Sequence, residues 1–302
     1  MKPKGLLIAV VLLAVLGGAV WYSNKQEAAK ASKGTDSSTT KVLTIPEDQF
    51  QEIRIQKVSG ETERLSRASG KWRLVEPKDM AADQDAVSSM VNALSSLNAD
   101  RVVEDKADDL KNYGLADPTL KVQVKRKDGK TDEVLVGDDA PTGSGAYAKL
   151  PNDPRVFMIA TFTKSSLDKR PDDLRDKRLL TFDQDKITRV ELQAKGQTVE
   201  FGKDAQNEWQ IVKPRPLRAD SSTVNAMMDK LRDAKMDVTA TGDAAKGFAN
   251  GTRVAVATVT DAAGTHTLEV RKDKDKNYFA KGSAVEGVYK IASDVGDALD
   301  KG

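Results

Sequence analysis

The chain of 302 residues contains no cysteine, a single histidine, few aromatic residues (5 %) and almost no excess of either charge, the formal net charge being +2. Each absence closes a class of function. Without cysteine there are no disulfides, no thiolate metal sites, no cysteine nucleophile and no lipobox, since a lipid-anchored lipoprotein needs a cysteine to acylate. With one histidine, His266, a zinc site is out of reach unless carboxylates supply the rest, and the usual general base of a nucleophilic triad has one place to be. Near-neutral charge, with several cations crowded at the N-terminus (Lys2, Lys4, Lys25), leaves no basic face for a nucleic-acid backbone. Neither a G-x-G-x-x-G loop nor a Walker A motif occurs, so no nucleotide cofactor is expected.

What is present is a repeat. Trp72-Arg73-Leu74-Val75-Glu76-Pro77 returns as Trp209-Gln210-Ile211-Val212-Lys213-Pro214. A constant shift of 137 residues, with no gap, lays Ile53 on Val190, Ile55 on Leu192, Ala82-Asp83 on Ala219-Asp220, Val87 on Val224 and Leu94 on Leu231. Two related modules follow. The expected fold class is α+β: an N-terminal transmembrane helix, then two tandem modules of antiparallel sheet with packed helices.

Lys2 and Lys4 precede an uncharged apolar run over residues 5–22, which as a helix would span roughly 27 Å and just cross a bilayer. The cations place the N-terminus in the cytoplasm, and Trp21-Tyr22 suits the far interface. This predicts a single-pass plasma-membrane protein whose bulk lies outside the cytoplasm, with the lipid bilayer its partner through residues 5–22. The expected division is a cytoplasmic start and anchor over 1–24, a flexible tether over 25–41, a first module over 42–162, a helical joint over 163–182 and a second module over 183–302.

Within the first module, period-two alternation predicts strands at 52–56, 61–67 and 71–75, and Pro77 ends the third. Asp83 stands where a helix cap belongs, before an amphipathic helix over 84–97 carrying Ala86, Val87, Met90, Val91, Leu94 and Leu97. A charged short helix is expected over 105–112. Strands follow at 120–125 and 132–136 across the hairpin signal Asp128-Gly129, then at 146–150 and 155–160. Residues 172–178 read as helical. The second module repeats the plan, with strands at 187–192, 198–201 and 208–212 and a helix capped by Asp220 that turns Val224, Met227, Met228 and Leu231 inward.

Candidate chemistry is sparse. His266 alternates in phase with Leu268 and Val270, which fits a packed structural histidine. The carboxylate groups Asp105, Asp108 and Asp109, then Asp172, Asp173 and Asp176, then Asp273 and Asp275 are interleaved with Lys and Arg, as on a solvated face. Asp273 opens a calcium-loop cadence, but Tyr278 takes the place of its glycine and Ala284 that of its bidentate Glu. Asp83 and Asp220 are explained by capping, and Trp72 and Trp209 by core packing. The expectation is therefore no catalytic residue, no cofactor and no metal.

The repeated Trp strand, the Ala-Asp helix start and Tyr113-Gly114-Leu115-Ala116-Asp117-Pro118, followed by a strand, an Asp-Gly hairpin, Val136-Gly137 and Tyr147, resemble the bacterial family of domain of unknown function 4340 over roughly residues 42–300. In the second module Phe248-Ala249-Asn250-Gly251-Thr252 replaces the Tyr-Gly-Leu-x-x-Pro element. That resemblance implies a membrane-anchored envelope protein, in two copies, with an accessory role beside transporter subunits. The function expected is non-catalytic binding or scaffolding in an ABC-type envelope transport system. The alternatives are a carboxylate-dependent hydrolase of envelope glycans and a glycan-binding module.

Overall fold

The computed structural model describes residues 40–240 and 242–300. The apolar run over 5–22 and most of the tether lie outside these residues. Among the described residues no helix is long and apolar enough to cross a membrane.

In chain order the strands and helices are β1 Thr40–Thr44, β2 Phe50–Lys57, β3 Thr62–Ala68, β4 Lys71–Glu76, β5 Met80–Ala81, α1 Gln84–Ser95, β6 Ser96–Ala99, β7 Arg101–Glu104, β8 Leu120–Arg126, β9 Thr131–Asp139, β10 Gly145–Lys149, β11 Val156–Ala160 and α2 Thr161–Leu167. The chain continues with β12 Arg189–Ala194, β13 Gln197–Lys203, β14 Trp209–Lys213, β15 Leu217–Arg218, α3 Ser221–Arg232, α4 Ala244–Asn250, β16 Thr252–Asp261, β17 Gly264–Lys272, β18 Tyr278–Gly282, β19 Tyr289–Ile291 and α5 Ser293–Asp300. The fold is α+β, and two compact units meet in sequence at Pro171 and Asp172, with Met80–Asp83 grouped with the second.

In the first unit, module one, an antiparallel sheet runs β4-β3-β2-β8-β9-β10-β11-β7. Alternation along it buries Ile53, Ile55, Leu65, Leu74, Val122, Val124, Val134 and Val136 on one face. Helix α1 adds Val87, Met90, Val91 and Leu94 to that core, the stripe its three- and four-residue spacing predicts. The helix stops at Ser95 rather than Leu97. Leu97 instead pairs with Leu43 across β1 and β6, and stays fully buried there. Module two holds an eight-stranded sheet, β15-β14-β13-β12-β16-β17-β18-β19. Its core takes Val190, Trp209, Val224, Met228, Leu231, Val259 and Leu268, with Met227 packed at the margin.

Two expected helices are cut short. Over 105–112 only Leu110–Tyr113 winds, as a 3-10 turn capped by Asp109 onto the Lys111 N–H. The preceding aspartates have no apolar stripe to bury and favour local turns over helix. Over 172–178 the helical turn covers only Pro171–Leu174. Leu179 N–H donates to the Ala234 carbonyl and Met236 N–H to that of Lys177, so this backbone is spent on bonds to a segment more than fifty residues on, and Leu174, Leu179 and Leu180 are fully buried.

The gap-free shift of 137 is also corrected. Ile53 pairs with Leu65, whereas Val190 pairs with Phe201. Strand β3 therefore maps onto β13 with a shift of 136, while β2 and β4 keep 137 against β12 and β14. The β12–β13 turn is a two-residue Lys195-Gly196 hairpin with both φ positive (51° and 75°), and the loop before β14 regains the lost residue. A one-residue slip turns side chains to the opposite face, so the compensation decides which residues correspond.

Candidate functional site

The two tryptophans occupy the same place in each module, 6 % and 4 % exposed, so neither indole offers a stacking platform. Trp72 is clamped to α1 through its backbone: its N–H donates to Gln84 Oε1 at 2.9 Å and its carbonyl accepts from Gln84 Nε2 at 3.0 Å. A cation covers each ring, Arg67 at 5.9 Å from the Trp72 centroid and Lys203 at 5.2 Å from that of Trp209. Under the corrected alignment these cations are equivalent residues.

The difference lies on the helix. In module two Trp209 Nε1 donates to Asn225 Oδ1 at 2.9 Å, which seals the edge of the indole. In module one the equivalent position is Ser88, and among the described residues the Trp72 indole N–H makes no hydrogen bond to the protein. A cleft of about 310 Å³ is lined by Glu47, Asp48, Arg67, Trp72, Ser88, Val91 and Asn92. That is the low end of the size of small-molecule sites. Helix α1 contributes Ser88 and Asn92, one turn apart, and the 3-10 turn Glu47–Gln49 contributes Glu47 and Asp48. Gln49 Nε2 donates to Asp48 Oδ2 at 2.8 Å, and Arg67 Nη1 reaches the Glu47 carbonyl at 3.5 Å. The cleft thus presents donors and acceptors without a nucleophile beside a base, which suits recognition of a small polar group.

The candidates read from sequence do not gather there. His266 Nε2 lies 3.1 Å from Asp261 Oδ1. Asp261 also accepts from the N–H groups of Asp183, Ala263 and Gly264. The Asp183 N–H first, and His266 after it, hold the Asp261 carboxyl down at about 2. This aspartate organises a turn and a packed histidine, and its partnership with His266 spans strand ends that only the β16–β17 register brings together. Asp109 caps Lys111, Asp172 meets Arg175 at 3.2 Å and Asp176 binds Arg178 at 2.5 Å. Asp220 caps α3 on the Thr223 N–H at 2.7 Å, and Asp83 directly precedes α1. Asp273 accepts from the N–H groups of Asp275 and Asn277. Among the described residues no group of three or more His, Asp or Glu is placed to hold a metal ion.

One group escaped sequence reasoning altogether. Glu63 is fully buried on the core face, in phase with Leu65 and paired with Ile55, and neither of its oxygens has a hydrogen-bond partner. Burial pushes its carboxyl up, and Lys57, 3.8 Å away, pulls it partly back. Lys57 also meets Asp168 at 3.3 Å, just past the end of α2. The signal was available: a glutamate in the inward phase of an alternating strand.

The Tyr-Gly-Leu-x-x-Pro element is a packing joint. Gly114 takes φ 64° and closes the 3-10 turn, and a side chain there would strike the Asp138 carboxyl at about 2.4 Å. Gly137 lies against the Tyr113 carbonyl, where an added Cβ would come within 2.1 Å. Tyr113 stacks edge-on to Tyr147 at 5.0 Å and donates to Glu104 Oε2 at 2.6 Å. In module two α4 replaces this joint: Gly247 seats against Phe279, the counterpart of Tyr147, and Phe248 lies 4.5 Å beneath the Arg271 guanidinium.

The family model described as a domain of unknown function (DUF4340) matches residues 72–209 and again residues 209–302, its seams falling on the paired tryptophans. No curated protein and no solved structure matches the chain.

Proposed function

Starting from the fact that the chain belongs to the family of domain of unknown function 4340, in two tandem copies, we propose that it is a single-pass membrane protein that holds both modules outside the cytoplasm. In this reading it acts by binding, as a scaffold or accessory subunit of an ABC-type envelope transport system. The apolar run over 5–22, with Lys2 and Lys4 before it, supports the anchor and its orientation. A polar tether over 25–41 supports presentation at a distance from the bilayer.

The observation that carries the binding reading is the cleft over Trp72. A duplicated scaffold keeps the indole and its covering cation in both copies, yet binds the indole N–H with Asn225 in one and has Ser88, beside a cleft, at the equivalent position in the other. Such a difference specialises one copy for recognition while the other serves as support.

The test is crosslinking in intact membranes followed by purification of the full chain. Recovery of transporter subunits with the wild type, and their reduced recovery with Ser88→Asn, is the expected result. Recovery of the protein alone from both would overturn the proposal. A second reading, hydrolysis of envelope glycans, has its foothold in Glu47 and Asp48 at the rim of the same cleft. Glycan turnover by the wild type that disappears in E47Q/D48N would favour it.

A further inference from the structure

We infer that matching ion clusters of opposite sign keep the strands of the two modules from exchanging partners while the chain folds. In module one Arg64 sits between two carboxylates, 3.5 Å from Glu52 and 2.9 Å from Glu76. The equivalent positions in module two are Glu200, Arg189 and Lys213, and Glu200 lies 2.8 Å from Arg189 and 2.9 Å from Lys213. The geometry is kept and every sign is reversed. On the next hairpin Arg126 pairs with Asp132, and their counterparts are Asp261 and His266, so a carboxylate stands where module one has its guanidinium and the partner is a histidine, charged only when protonated.

Apart from one inward position, Glu63 in module one and Val199 in module two, apolar pattern does not tell the modules apart. Ile53 and Val190, Ile55 and Leu192, Leu65 and Phe201, Leu74 and Ile211, and the two tryptophans fill corresponding inward positions. Tandem domains alike in this way are prone to misassemble with each other. The charges discriminate. Strand β3 placed between β12 and β14 would bring Arg64 against Arg189 and Lys213. Strand β13 placed between β2 and β4 would bring Glu200 against Glu52 and Glu76. Strand β9 on β16 would face Asp132 with Asp261. Coulomb energy is unchanged when both signs of a pair are exchanged, so each module keeps its own stability. Like charges directly across strands are penalised, most where solvent is scarce, and Glu200 is only 8 % exposed.

The chain lacks cysteine, so an introduced pair reports without background. Thr62 pairs with Gln56, and Thr198 pairs with Gln193. A disulfide between T62C and Q193C therefore reports β3 seated on β12. The full chain carrying this pair is refolded in detergent, its disulfide yield is compared with that of protein never unfolded, and three backgrounds are used. The first is otherwise wild type. The second gives module two the signs of module one (Arg189→Glu, Glu200→Arg, Lys213→Glu). The third adds Glu52→Arg, Arg64→Glu and Glu76→Lys, so that the modules again differ in sign. The yield is expected to rise about threefold or more in the second background and to return to the wild-type value in the third. An unchanged yield in the second, or a rise that persists in the third, would overturn the inference. Should the second background fail to fold, the module-one substitutions alone match the signs in the other direction and take its place.

Discussion

Module one and module two hold the same indole in the same socket, under an equivalent cation, and differ in the side chain one helical turn into the wall: Ser88 in the first, Asn225 in the second. Alongside this, the cluster of Arg64 with Glu52 and Glu76 recurs at the same positions with every sign reversed, as Glu200 with Arg189 and Lys213. The comparison separates what the scaffold requires from what it merely permits. Volume at the tryptophan and the presence of a charge pair at a given cross-strand position are required. The sign of the pair, and the satisfaction of the indole N–H, are free to diverge.

The largest effect should fall on the shared element. Trp72→Ala and Trp209→Ala are each expected to destabilise their own module by about 4 kcal/mol. Hydrogen exchange resolved by module checks this; loss of protection in only one module for both variants would break the equivalence. Next is the joint present in module one alone. Gly137→Ala forces a Cβ against the Tyr113 carbonyl, and a loss of about 3 kcal/mol in urea unfolding of that module is expected. Smaller again is the sign test. Arg64→Glu alone gathers three carboxylates and should cost about 1 kcal/mol, whereas the triple exchange Glu52→Arg, Arg64→Glu, Glu76→Lys should restore stability to within about 0.5 kcal/mol. A triple variant no better than the single would show that sign matters within a module.

The smallest effect is on pH dependence. Asp261 is held below its ordinary 3.8, at about 2, by the Asp183 N–H and by His266. Its folded value is depressed, so its contribution is present above about pH 4 and is lost as pH falls toward about 2. Module one carries Arg126 at this position. The unfolding midpoint of module two should therefore fall more steeply over that window, and Asp261→Asn should flatten the slope. The buried Glu63 works in the opposite sense. Its raised value means that stability is full below its ordinary 4.5 and declines as the pH climbs through the raised value. Glu63→Gln should accordingly leave module one more stable at neutral pH, by about 1 kcal/mol.

Much of the scaffold was legible before any coordinates. Period-two runs such as Glu52-Ile53-Arg54-Ile55 and the spacing of Val87, Met90, Val91 and Leu94 report directly which face is buried, because strand and helix periods are local properties. The charged segments 105–112 and 172–178 misled for the same reason: propensity suggested helix, while backbone partners such as Ala234 for Leu179 come from far along the chain. The cleft was not legible. Ser88 reads as one of many exposed helix residues until the matching Asn225 is seen on the indole of Trp209.

By itself the sequence determined the duplication, the alternation that builds both sheets, the inward tryptophans and the apolar run at the N-terminus. The tertiary structure alone decided the one-residue slip between β3 and β13, and with it that Arg64 corresponds to Glu200 rather than to Phe201. It likewise decided that Glu63 is buried without a hydrogen-bond partner and that Asp261 reaches His266. The reason is physical. Periodicity is written residue by residue, but a cross-strand partner is chosen by register, and register depends on turn lengths and packing that no single stretch of chain contains.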